Sequence, residues 1–193
     1  TNKSNELLGS LTDGDLRRGL LKGINLDNSI DKFSNTKPKY ILENNFLQSD
    51  LNKLKNMKIN MVPVLNSKKR IIDIVNIKNQ LGYIPVDVIL MAGGFGTRLG
   101  SLTKNTPKPL IRINNKAIID YSIDRLKMFG VSNFHLCLFH MKEKIKKHIK
   151  NKYSDINTNF VEEKKPLGTI GAVSLIKKIE KNYVLLMNAD ILT

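Results

Sequence analysis

Residues 91–110 read MAGGFGTRLGSLTKNTPKPL and combine glycines with fixed cations at a spacing that suits phosphate chemistry. Gly93, Gly94 and Gly96 leave backbone N–H groups bare, and such groups can wrap a polyphosphate without side-chain obstruction. Arg98 offers a guanidinium whose fork can hold two oxygens at once. Lys104 and Lys108 add two ammonium groups, and Pro107 and Pro109 stiffen the backbone that carries Lys108. The composition of the loop suits a nucleoside triphosphate meeting a second phosphorylated molecule. An ordinary glycine-rich turn is the plain alternative, yet such turns rarely carry Gly-Thr-Arg and then Pro-Lys-Pro within a dozen residues.

The commoner phosphate motifs fail on spacing. A P-loop needs Gly-x4-Gly-Lys-Ser/Thr, but Leu99 and Ser101 stand where the second glycine would follow Gly94 or Gly96. A dinucleotide fingerprint beginning at Gly94 would want glycine or alanine at Leu99. No Ser-His-Asp or Cys-His set is visible either. His135, His140 and His148 have no catalytic spacing with Cys137 or with any serine, and read as packing or surface residues.

Asp190 closes the apolar run Tyr183–Asn188. A lone carboxylate at that place is costly unless it is hydrogen-bonded or meets a cation. Magnesium bridging substrate phosphates would supply the cation, and a helix cap is the alternative. When an anionic phosphate oxygen attacks an α-phosphorus, no general base is needed. Such a site has to align two polyanions and neutralise charge moving onto the leaving pyrophosphate.

The run AGGFGTRL, LT and TPKPL is followed in order by EEKKPLGTIGAV (162–173) and YVLLMNAD (183–190). This series resembles the signature of sugar-1-phosphate nucleotidyltransferases, the NDP-sugar pyrophosphorylases, from about Val86 onward. The resemblance implies an α/β fold with a mostly parallel, Rossmann-like sheet, incomplete at its carboxyl-terminal side. It implies a nucleotide held by Met91, Ala92, Gly93, Gly94, Gly96, Thr97, Glu163, Gly168 and Thr169. Arg98 would grip the β/γ-phosphates, Lys108 would bridge the α-phosphate and the sugar phosphate, and Asp190 would bind Mg2+. The PLGT-type loop is similar to that of mannose-1-phosphate guanylyltransferases, and Glu163 could accept from guanine N1–H and its exocyclic amine. GTP with mannose-1-phosphate or glucosamine-1-phosphate is therefore the expected substrate pair, with UTP or dTTP as the alternative nucleotide. The family's second metal aspartate and most of its sugar contacts lie beyond this stretch. The native polypeptide is expected to be longer at both ends, and residues 1–193 alone to bind nucleotide weakly without turnover.

The formal charge of +15 invites a nucleic-acid partner, but the pattern speaks against one. Lysine outnumbers arginine 26 to 6, the cations are spread over both halves, and no aromatics interleave with them as a stacking platform needs. The dense run Lys142–Lys150 reads as the solvated face of a helix whose other face is Met141, Ile145, His148 and Ile149. Small anionic substrates are the partners that the charge favours. No stretch is apolar enough for a membrane span and no signal peptide opens the chain, so a cytoplasmic location is expected. Cys137 is the single cysteine, which excludes an internal disulfide, and its apolar surroundings suggest a buried thiol.

Two domains are expected, residues 1–83 and 84–193. In the first, the pattern predicts a strand over Leu7–Leu11, a helix over Asp13–Lys22, a strand at Tyr40–Leu42 and a helix from Ser49-Asp50 to Met57. Strands Met61–Leu65 and Arg70–Val75 follow. This small α+β unit resembles CBS domains through GSLTDGDLRRGLLKG and MVPVLNSKKRIIDIV, with the first repeat incomplete. The resemblance implies an adenosine nucleotide at Thr12 and Asp15, positions that Asn76 and Asn79 hold in the second repeat, and it allows a homodimer through the module. A local helix start is the alternative role of Thr12 and Asp15. In the second domain strand 86–92, helix Ala117–Phe129 ending at Gly130, strand Phe134–His140 and helix 141–150 alternate. Strand Asn159–Glu162, helix Thr169–Ile179 and strand Tyr183–Asn188 complete a parallel sheet with helices on both faces. The rival reading is a CBS nucleotide sensor whose transferase half is inactive.

Overall fold

The computed structural model describes residues 1–43, 48–78 and 80–191, except for the side chains of Gln48 and Arg98. The chain divides into two compact units, Thr1–Asn79 and Gln80–Thr193. The division falls a few residues ahead of the expected boundary. The connector belongs to the second unit because Leu81 and Ile84 donate their N–H groups to Met128 and Phe129 carbonyls.

In the first unit, α1 (Asp13–Leu21), β1 (Ile41–Leu42), α2 (Gln48–Asn56), β2 (Met61–Leu65) and β3 (Ile71–Asn76) follow one another. The sheet order is β1-β2-β3, with β1 parallel and β3 antiparallel to β2. Its core includes Ile41, Leu51, Leu54, Val62, Val64, Leu65 and Val75 of these elements, with Ile77 just past β3. The expected strand over Leu7–Leu11 does not form. Glu6 and Ser10 make one isolated bridge each, to Arg70 and Asn35. Left-handed Asn5 turns the chain before a ladder can extend, and Asn35 O lies only 2.9 Å from where a Cβ on Gly9 would stand.

The second unit holds β4 (Val86–Met91), β5 (Arg112–Ile113), β6 (Lys116–Ala117), α3 (Ile118–Met128), β7 (Asn133–Leu138), α4 (Lys142–Lys152), β8 (Asn157–Glu162) and β9 (Tyr183–Asn188). Asn114 and Asn115, both left-handed, close the β5–β6 hairpin, as a two-residue turn of that hand requires. The main sheet has the order β8-β7-β4-β9, and every pairing in it is parallel. From β4 the chain moves outward through α3 to β7 and through α4 to β8. It then crosses back to the other side of β4 as β9. Right-handed crossovers in opposite directions must lie on opposite faces. Accordingly Ile119, Ile123, Ile145 and Ile149 of the two helices pack on Val88, Leu90, Phe134 and Leu136. Ala172, Val173 and Ile176 of the return path pack on Ile89, Cys137 and Val161 behind them. Among the described residues no helix is long and apolar enough to cross a membrane.

That return path corrects one expectation. The helix foreseen over Thr169–Ile179 is only a 3-10 turn, Gly171–Leu175. Ile170 gives its start no side-chain cap, and Ile176 already has extended dihedrals. The chain beyond is drawn to Asp87, a carboxylate with no exposed surface inside the sheet. Asp87 accepts the N–H groups of Glu180 and Lys181 and the Nδ2–H of Asn133, with His135 beside it. Burial alone would raise the Asp87 carboxyl, but these hydrogen bonds win and hold it below the ordinary carboxylate value.

The two helices are joined in the same manner. Asp120 of α3, almost fully buried, receives His148 and Lys152 of α4 at 2.7 Å each, and Tyr153 donates to Asp124 at 2.9 Å. His148, expected on the apolar face, therefore serves as a hydrogen-bond partner between helices.

Replacing Asp87 by alanine should cost about 1–3 kcal/mol of stability, because buried donors lose their acceptor. Since the folded pKa is depressed, the contribution is present above the unfolded value of about 3.9 and is lost as pH falls below it. Denaturant unfolding at pH 7 and pH 3 checks both points. The gap between wild type and Asp87→Ala should narrow at pH 3.

Candidate functional site

Where a parallel sheet reverses its order of strands, the carboxyl ends of two neighbours open a crevice. Here those neighbours are β4 and β9, with Met91 opposite Asn188. The ladder continues one step on each side, as Ala92 N donates to Cys137 O at 2.9 Å and Ala189 N to Met91 O at 3.0 Å. The glycine loop and Asp190 therefore leave the sheet side by side.

Loop geometry explains two of the glycines. Gly96 is left-handed at φ +68, and a Cβ there would stand 2.8 Å from Thr103 Cγ2 and 3.2 Å from Lys108 Cβ. A Cβ on Gly93 would meet Glu163 Oε1 at 3.0 Å and Phe139 N at 3.3 Å. Residues Thr97–Thr103 form two 3-10 turns broken at Gly100. Lys108 opens a further 3-10 turn behind Pro107, with Pro109 buried beneath it. The prolines thus fix the turn from which the Lys108 ammonium projects.

Lys108 Nζ and Asp190 Oδ2 form an ion pair at the mouth of the crevice. Two cavities meet there. One, of about 400 Å³, is lined by Ala92, Gly94, Gly96, Thr97, Lys108 and Asp190 among others. The other, of about 410 Å³, is lined by Gly93, Gly94, Glu163, Gly168, Thr169 and Asp190 with Phe95, Phe139 and Asn188. Met91, Gly94 and Asp190 border both. A glycine-lined cavity bordered by an ammonium, beside one that holds a buried carboxylate, can take an anionic chain at one end and a hydrogen-bond donor at the other.

Glu163 is buried, and its N–H donates to Leu138 O at 2.9 Å. Its Oε2 accepts the Leu167 N–H at 2.8 Å, which shapes the Pro-Leu-Gly turn, while Oε1 lies against Gly93. The residue before it, Glu162 at the end of β8, pairs with Lys142 and Lys146 of α4. Those two ammonium groups hold the Glu162 carboxyl down at about 2.

The structure brings together Met91, Ala92, Gly93, Gly94, Gly96, Thr97, Lys108, Glu163, Gly168, Thr169 and Asp190 around the paired cavities. The Arg98 side chain lies outside the described residues, and its backbone belongs to the first 3-10 turn. Thr12 and Asp15 sit in the other unit and face each other in a capping box. Thr12 N donates to Asp15 Oδ2 at 2.9 Å and Asp15 N to Thr12 Oγ1 at 3.2 Å. Of their counterparts, Asn76 ends β3 and Asn79 lies outside the described residues. Sequence reasoning missed Phe95, Phe139 and Asn188 as lining residues. Phe95 packs edge-on against Phe139 with centroids 5.6 Å apart, a contact between separate strand ends that spacing alone does not reveal.

Among the described residues no three His, Cys, Asp or Glu side chains converge on a metal position. Asp190 borders both cavities as a single carboxylate, and Glu163 is engaged by Leu167. That set fits magnesium in the manner usual for phosphate substrates, with one or two carboxylates and the phosphates themselves as ligands.

Cys137, with no exposed surface, lies under this site. Burial, helped by the charge of Glu163, pushes its thiol up to about 11. The folded chain should therefore leave Cys137 unmodified by a disulfide reagent at pH 8, with stoichiometric reaction only in denaturant.

The nucleotidyl transferase family model matches residues 87–193. The D-glycero-alpha-D-manno-heptose 1-phosphate guanylyltransferase of Campylobacter jejuni subsp. jejuni serotype O:2 is 35% identical over 105 residues, covering 54% of this chain and 48% of that protein. The mannose-1-phosphate guanylyltransferase catalytic subunit beta of Xenopus tropicalis is 31% identical over 109 residues, covering 54% and 30%. The crystal structure of HddC from Yersinia pseudotuberculosis complexed with GMP-PN is 32% identical, covers 54% of this chain and 48% of that one, and gives a TM-score of 0.49. The chain spans about half the length of the Campylobacter relative and less of the Xenopus one.

Proposed function

The chain belongs to the nucleotidyl transferase family, and on that premise we propose that it serves transfer of GMP from GTP to a sugar 1-phosphate. The observation that carries this reading is the meeting of Lys108 and Asp190 over two cavities that share Gly94. The triphosphate lies along the Gly94–Thr97 cavity, and the base enters the cavity of Glu163. Lys108 leaves Asp190 to hold the α-phosphate and the incoming sugar phosphate in line. Arg98 holds the β- and γ-phosphates as negative charge moves onto pyrophosphate. Magnesium, when bound at Asp190, offsets phosphate charge. Alignment and charge neutralisation supply the rate in such a transfer, because the attacking oxygen is already ionised.

Guanine is favoured over uracil and thymine because the buried Glu163 carboxylate can accept from its N1–H and amine. The names of the Campylobacter and Xenopus relatives support the same nucleotide. They also favour a manno-configured acceptor, mannose or heptose 1-phosphate, with glucosamine-1-phosphate as the alternative. A pyrophosphate-release assay with GTP, UTP and dTTP against these acceptors tests the reading on the protein that contains this chain. GTP should be preferred, and Arg98→Ala should lose ~10²–10³ in turnover with an unchanged melting temperature. Equal use of the three nucleotides would refute the base assignment, and near-normal turnover of the variant would refute the role of Arg98.

For the first unit we propose a regulatory module of CBS type that takes an adenosine nucleotide. Supporting it, Asp15, Arg18, Lys22 and Lys32 border a cavity of about 220 Å³. Calorimetry with AMP should show saturable binding that Asp15→Ala abolishes. No heat at millimolar AMP would leave Thr12 and Asp15 with the helix cap alone.

A further inference from the structure

We propose that Thr103 is the positioning residue of the phosphate loop, the side chain that holds Gly94–Thr97 along the first cavity and seats Lys108 beside Gly96. The inference rests on the nucleotide reading above for what the loop binds. It rests on geometry alone for how the loop is held.

Of the described side chains from Gly94 to Asn105, only that of Thr103 is buried. Its hydroxyl lies 3.0 Å from Gly96 O and 3.2 Å from Gly100 O, so one proton is shared between two carbonyls. Those carbonyls belong to two glycines of the loop with positive φ. Gly96 adopts the left-handed conformation at φ 68, ψ 23, and Gly100 adopts φ 52, ψ −122, which is open in practice to glycine alone. The Thr103 methyl occupies the space beside Gly96 that a Cβ there would need. Lys108 Cβ borders the same space, 3.2 Å from where that Cβ would stand.

At its start the loop is held by Phe95, which packs on Phe139 and His140. Beyond the 3-10 turns themselves, the described backbone bonds between Gly94 and Asn105 include Leu99 N to Gly96 O at 3.0 Å and Lys104 N to Ser101 O at 3.3 Å. Three glycines in the seven residues 94–100 give the free chain many alternatives. One buried threonine at the far end of the loop touches its beginning, its kink and, through Gly96, the base of Lys108. A loop ordered before the ligand arrives spares the ligand that cost in affinity.

Two substitutions separate the parts. Thr103→Val keeps the shape and the methyl but leaves both carbonyls without the hydroxyl, whereas Thr103→Ser keeps the hydroxyl. Calorimetry with the β,γ-imido analogue of GTP and amide exchange of residues 94–99 are read on both variants of the full chain. Thr103→Val should bind about tenfold more weakly and exchange about tenfold faster over 94–99, as expected for one lost buried hydrogen bond. Exchange in β4 and β7 should stay unchanged, and Thr103→Ser should stay close to wild type in both readouts. Should the valine variant unfold, Gly100→Ala disturbs the same kink from an exposed position. Nothing lies within 4 Å of its added Cβ, and the same weakening is expected. Wild-type exchange in the valine variant, or a serine variant as impaired as valine, would overturn the assignment. A wild-type chain that binds no triphosphate would instead overturn the nucleotide reading, while the exchange comparison would still decide the role of Thr103.

Discussion

The second unit depends on one constraint: β4 must pair with β7 on one side and β9 on the other, all three pointing the same way. Parallel pairing cannot be made by a tight turn, so each neighbour has to return by a crossover. Because the crossovers leave β4 in opposite directions, the apolar side chains of β4 are covered from both faces. Val88 and Leu90 go to the helices, and Ile89 goes to the return path. The same reversal leaves the carboxyl ends of β4 and β9 adjacent and uncovered. There the glycine-rich loop and Asp190 come together. The amino ends are closed by Asp87, whose buried carboxylate gathers the N–H groups of the return path. Thus the two ends of one strand do different work, one fastening the chain and the other presenting it.

Much of this was legible in the chain. The apolar stripe Ile119, Ile123 and Leu126 marks the inner face of α3, and Gly130 at φ 75 ends that helix where the pattern breaks. The glycine loop, Lys108 and Asp190 stand where the motif spacing places them, because β4 and β9 are short apolar runs with unambiguous ends. Expectations went astray where local pattern and tertiary demand compete. Residues 169–179 have helical periodicity, but Asp87, more than eighty residues earlier, claims the backbone that follows and stretches it. Leu7–Leu11 has strand composition but finds no partner beyond isolated bridges.

The side chains of the site show the same division. Glycine and proline announce themselves, since a backbone need selects them wherever they occur. Glu163 is visible as an acidic residue near a turn, yet its twofold use, toward Leu167 N and toward Gly93, exists only in three dimensions. Thr103 shows this more sharply. Within the motif it is one hydroxyl among several, and only its burial between two carbonyls distinguishes it from Ser101 or Thr97.

The ion pair between Lys108 and Asp190 has a consequence for substitutions at the crevice. Each partner carries the charge that balances the other. The crevice is therefore electroneutral where this pair meets. Removing either residue leaves a partly buried charge without its counterion, so each substitution also disturbs the residue that remains. A binding constant measured on such a variant is the difference between two disturbed reference points, and the intact pair is the zero from which both are counted.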